Sequence, residues 1–150
     1  MPESHGAHIE RFNTMRAELM GALEGLTPEQ LVDRPDGGWS VKDQLFHLAA
    51  WDTIRAAEVT RISNGHSTTW KMSDEQDALM NDLFFELQKD LSIEQAMWEL
   101  ISSRERLLAA LEGATERGLD PSLYGEAGLM TRHEAEHAGW IREWCERNGY

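Results

Sequence analysis

Six histidines are spread along this sequence, His5, His8, His47, His66, His133 and His137, and the last two stand four residues apart. In a helix, four residues turn the chain by about 400° and advance it by about 6 Å, which puts both side chains on one face, one turn apart. Two imidazoles at that spacing can share a metal ion, or each can hydrogen-bond to a partner inside the protein. Trp140 and Trp144 continue the face at i+7 and i+11 from His133, the stripe that a bundle helix turns inward.

His47 sits in Trp-Ser-Val-Lys-Asp-Gln-Leu-Phe-His-Leu-Ala-Ala-Trp-Asp, between Leu45 and Leu48 and one turn before Trp51, so it too belongs to an inward face. A lone histidine there reads as a core residue. On a helix facing the His133/His137 pair, it completes a three-imidazole cluster. Three protein nitrogens leave a coordination position for water or substrate, as in catalytic rather than structural zinc sites. Imidazole also suits nickel, copper and iron, so the ligand set does not select the metal.

Other groups with chemical potential have plainer readings. At 100° per residue, Glu134 and Glu136 point away from the histidine face, so Glu134 is expected to cap the helix and Glu136 to be solvated. Asp52 is expected to be a surface carboxylate. Cys145 lies about 12 Å along the helix from His137 and reads as an inert thiol. Tyr124 either reaches over the site or anchors its loop. His5 and His8 fall at a chain end, and His66 sits in a loop beside Gly65. Trp51 reads as core, while Trp39 and Trp70 are candidates for a pocket mouth or a dimer face. No serine stands in a nucleophile-elbow context.

The elements that must position these groups are helical, since period-2 alternation is nearly absent and apolar residues recur at spacings of three and four. A first helix is expected from His5 to Gly25, and Thr27-Pro28 opens a short turn. Asp36-Gly37-Gly38 breaks the chain. Ser40 with Asp43 forms a capping box for a helix that runs to Asn64-Gly65. Ser73 starts a third helix with Met80, Leu83, Phe84 and Leu87 inward. Ser92 starts a fourth, with a stripe of Ile93, Met97, Leu100, Ile101, Leu107 and Leu111. Thr131 and Glu134 form a capping box for a last helix ending at Asn148-Gly149. With the third and fourth counted as two parts of one side, the result is an all-α four-helix bundle with an additional short helical segment, one domain over residues 1–150.

Composition narrows the function. The formal net charge is −13, which disfavours nucleic acid and anionic lipid as partners. Residues 72–100 hold eight of the acids against one base, Lys89, and read as a solvated face. With one cysteine, no signal-like start and no apolar run near the ~20 residues of a span, a cytoplasmic protein is expected.

At Trp39 to Asp52, and at the terminal His133/His137 pair followed by Ile141 and Trp144, the chain resembles the DinB-like superfamily, and within it the DfsB/ClbS branch. The resemblance implies a DinB/YfiT-type bundle, commonly a homodimer, holding a divalent metal on His47, His133 and His137, with zinc or nickel foremost. It also implies a small electrophilic substrate, acted on by a hydrolase or by a transferase using a low-molecular-weight thiol. The alternatives it leaves are a genotoxin-protective binding protein and a non-catalytic dimer. One position departs from the branch: many relatives carry an aromatic residue where this chain has Glu134.

Overall fold

The computed structural model describes residues 3–34 and 38–150. The expected break at Asp36-Gly37 lies outside the described residues. The chain forms helices α1 (His5–Leu23), α2 (Pro28–Val32), α3 (Val41–Ser63), α4 (Asp74–Gln88), α5 (Ile93–Glu112) and α6 (His133–Asn148), with two short 3-10 turns, Arg117–Leu119 and Pro121–Leu123, before α6. The described residues contain no strand. The bundle consists of α1, α3, α5 and α6, with α3 packed on α5 and α1 on α6.

The start signals act as their chemistry dictates at three helices. Thr27, Ser40 and Ser73 each accept a hydrogen bond from the backbone N–H three residues on, and the side chains of Gln30, Asp43 and Gln76 accept in turn from the cap's own backbone N–H. Asp43 is further clasped by Arg34, with contacts of 2.8 and 3.0 Å. Ser92 caps α5 through Gln95 N–H alone.

α6 begins differently from the expected Thr131/Glu134 box. Thr131 accepts from the His133 N–H at 3.0 Å, but Arg132 occupies the cap position without a side-chain bond, and Glu134 turns into the bundle. Likewise α4 is not one side of the bundle. It lies outside, against α3, and no described residue of it is fully buried. Leu83 and Leu87, expected inward, are exposed, as are Ile101 on α5 and Trp140 on α6. The acids between residues 72 and 100 are exposed or half-buried.

The core has two apolar layers. One gathers Phe12, Met15, Val59, Leu107, Leu111 and Leu129, and the other Leu19, Leu45, Leu48, Leu100, Ile141 and Trp144. Each fully buried leucine contributes about 1.5–3 kcal/mol. Between the layers every bundle helix supplies a charged side chain: Arg16 from α1, Asp52 and Arg55 from α3, Arg104 from α5 and Glu134 from α6. The histidine pair lies at the α6 end of this polar belt.

Loops are tied by single buried groups. Glu58, fully buried on α3, binds Arg61 and Thr68 and accepts from the Thr69 N–H at 3.2 Å, which holds the α3–α4 connection. At the next residue, the Trp70 carbonyl accepts from the Glu126 N–H at 2.9 Å. A side chain at Gly125 would collide with that carbonyl, so the close approach of the two loops requires glycine there. Tyr124 anchors its own loop, donating to the Gly118 carbonyl at 2.6 Å. Burial pushes its phenol well above the usual range.

Candidate metal centre

α3 and α6 bring His47, His133 and His137 together. His47 Nε2 stands 2.8 Å from His133 Nε2, which stands 3.1 Å from His137 Nε2. The potential ligand atoms of all three lie within 4.8 Å of one another. Two nitrogens bound to one tetrahedral zinc at about 2.0–2.1 Å are about 3.3 Å apart, close to these separations.

Hydrogen bonding alone does not account for the arrangement. A ring nitrogen offers one proton or one lone pair, so His133 Nε2 cannot donate to one neighbour while accepting from the other. Gln44 Oε1 accepts at 2.8 Å from His137 Nδ1, which therefore carries the proton and leaves the Nε2 lone pair facing the cluster. His47 Nδ1 is buried and has no partner among the described residues, so the ring's placement comes from packing: Trp39 lies 5.0 Å away, centroid to centroid, and itself stacks on Phe85 at 5.9 Å. Trp140, though half-exposed, presents its ring to His137 at 4.7 Å.

The three imidazoles are held neutral, the form that binds metal. Burial is the main cause throughout. It lowers His47 to about 3, helped by His133; His133 to about 4, helped by Arg55 and opposed by Asp52; and His137 to about 2, helped by the two other histidines. The donor set and its neutrality fit a divalent cation.

Below the histidines lies the charged belt. Asp52, 3% exposed, binds Arg55 at 3.0 Å, Arg104 at 2.9 Å and Arg16 at 3.4 Å. Glu134, 4% exposed, binds Arg16 at 3.0 Å and Arg104 at 3.1 Å. Both carboxylates therefore depart from the surface and cap roles that the helical wheel suggests. α6 is covered on two sides, so a residue 100° from the histidine face still points at α1 and α5.

A cavity of about 270 Å³ opens beside the cluster, bounded by His47, Trp51 and Arg55 of α3, Asp77 and Asn81 of α4, and His133. Glu126 and Thr131 complete its wall. Trp51 donates to Asn81 Oδ1 at 2.9 Å, which fixes that side. A wider, more open depression of about 780 Å³ between α3 and α5, lined in part by His66, lies away from His47, His133 and His137. The remaining candidates lie elsewhere. His66 is exposed, and His5 binds the Ala114 carbonyl at 2.7 Å. His8 is fully buried rather than frayed, accepting from Arg11 at 2.8 Å, and burial keeps its pKa low. Cys145 is half-buried and its thiol is pushed up by burial.

A sequence model of the DinB superfamily matches residues 11–141, and the chain belongs to that superfamily. No curated protein matches it in sequence. The fold is similar to the crystal structure of an uncharacterised protein from Escherichia coli UTI89, with a TM-score of 0.76 and 16% identity over 99% of this chain and 96% of that one. No described helix is long and apolar enough to cross a membrane.

Proposed function

We propose that this DinB-superfamily protein is a metal-dependent enzyme in which His47, His133 and His137 hold one divalent cation, zinc or nickel, and the adjoining cavity admits a small electrophilic molecule. The observation that carries the reading is the convergence of three neutral imidazoles beside a cavity that His47 and His133 line. A cation held there supplies Lewis-acid chemistry, acidifying water or a low-molecular-weight thiol and polarising a substrate oxygen. That chemistry suits a hydrolase or a thiol-dependent transferase, as the likeness to the DfsB/ClbS branch implies.

The chain's own residues have defined parts. Gln44 orients His137, and the apolar rings of Trp39 and Phe85 shield His47 from water. Arg55 and Asp52 fix the electrostatics behind His133. As part of the same proposal the protein is a cytoplasmic homodimer; exposed Leu79, Leu83 and Leu87 at i, i+4 and i+8 of α4 supply an apolar face for a second copy.

The test is elemental analysis and zinc titration of tag-free, chelator-washed protein. Close to one ion per chain is expected, and none after His137→Ala with the helical fold retained. A wild-type protein that takes up no stoichiometric zinc or nickel refutes the reading.

A further inference from the structure

The polar belt is not balanced. Arg16, Arg55 and Arg104 share the carboxylates of Asp52 and Glu134, so three guanidiniums face two acids in a largely buried cluster. An unmatched buried charge is costly unless something neutralises it. Arg55 is the member that reaches the cavity. It is 4% exposed, its Nε donates to the Gly128 carbonyl at 2.9 Å and its Nη1 to Asp52 at 3.0 Å. Among the described residues its Nη2 has no hydrogen-bond partner, and the side chain forms part of the cavity wall. A guanidinium edge so placed matches an oxyanion, carboxylates above all.

The rim carries the opposite sign. Asp77 is half-buried and Glu126 exposed, and among the described residues neither side chain makes an ion pair or hydrogen bond. Burial and the nearby Glu126 and Asp74 push the Asp77 carboxyl up, the mark of carboxylates without a cation. The depth order is therefore fixed by exposure: a cation at the floor with the histidines, and two anions at the mouth. A molecule with only a negative charge must pass the acids, and one with only a positive charge meets Arg55.

We propose that the cavity is a bipolar site for a small zwitterion, whose carboxylate is received by Arg55 and whose ammonium group lies between Asp77 and Glu126. The volume suits a ligand of amino-acid size, since about nine waters at about 30 Å³ each would fill it. This names the substrate class of the proposed metal centre and rests on that reading of the cavity. Its test is separable, because the charges on the wall are present without metal.

The probes are γ-aminobutyrate, butyrate and butylammonium, titrated into metal-free and zinc-loaded protein while the Trp51 indole N–H is followed by NMR and assigned with Trp51→Phe. In metal-free protein γ-aminobutyrate is expected to bind at least about tenfold more tightly than either one-charge probe. The double variant Asp77→Asn, Glu126→Gln should lose that preference while keeping butyrate affinity. Arg55→Lys should weaken both carboxylate probes, with folding checked by circular dichroism; should it unfold, the rim double variant decides. Equal binding of the three probes to wild-type protein, or a preference that survives the double variant, overturns the proposal. Failure to load zinc refutes the metal reading instead and leaves the metal-free titration to be judged on its own.

Discussion

Gln44 on α3 and His137 on α6 are joined by a 2.8 Å hydrogen bond from imidazole Nδ1 to the amide oxygen. The bond crosses between the two helices that carry the proposed ligands, and it sets which nitrogen faces the cluster. Replacing Gln44 by Ala removes the partner but no ligand. Zinc affinity is expected to fall about 10–100-fold, read by competition with a chromophoric chelator, while thermal stability of the metal-free protein changes little. Unchanged affinity would remove Gln44 from the site.

The charged belt is expected to show its weight in stability. Glu134→Ala leaves Arg16 and Arg104 short of a carboxylate, and Asp52→Ala does the same for Arg55 and Arg104. Breaking a buried pair from one side costs about 3–5 kcal/mol. Urea unfolding of metal-free protein measures it, and losses below about 1 kcal/mol for both variants would show that the belt is not a stabilising network.

Apolar spacing identifies the inward residues of a helix with a single buried face and fails for a helix buried on more than one side. Helical pitch puts His133 and His137 on one face, whereas the approach of His47 depends on α3 packing beside α6, which spacing leaves open and the family resemblance supplies. Glu134 and Asp52 are buried against expectation because a helical wheel assumes one inward face, whereas α3 and α6 each have two. Gln44 does carry a local signal: a polar residue one turn before His47, on a face flanked by Val41 and Leu48. The exposure of Leu83 and Leu87 had no local signal, since α4 lies outside the bundle and its amphipathic pattern looks like that of a core helix.

The folded-state pKa values near 3, 4 and 2 for His47, His133 and His137 have a definite sign. In the unfolded chain these groups bind protons near pH 6.5, which the folded protein refuses, so stability is highest above that pH and declines as pH falls through it. The slope can reach about 1.4 kcal/mol per histidine per pH unit. Urea midpoints of chelated protein between pH 8 and pH 5 are expected to fall accordingly, and saturating zinc should raise them by a roughly constant amount, since the folded rings hold no protons for the metal to displace in that range. A flat profile in metal-free protein would contradict the burial of the rings.

Tyr124 is expected to be structural. Tyr124→Phe strands the Gly118 carbonyl and should cost about 1–3 kcal/mol, with zinc stoichiometry untouched. Loss of metal on this substitution would instead give the hydroxyl a part in the site.

The apolar face of α4 is expected to be covered in solution. Leu83→Glu with Leu87→Glu should shift sedimentation from dimer to monomer without loss of helicity. A wild-type protein that sediments as a monomer at tens of micromolar would remove the homodimer from the proposal.

The position of Glu134 directly after His133 has a consequence for how this helix can vary. Sliding α6 by one residue along its axis would withdraw the carboxylate from Arg16 and Arg104 and the imidazole from His47 together. Electrostatic complementarity thus acts as a ruler for the ligand spacing. Substitutions along the outward side of α6 leave it intact, whereas a single inserted residue between His47 and Asp52, or one that separates His133 from Glu134, would put charge and ligand out of step.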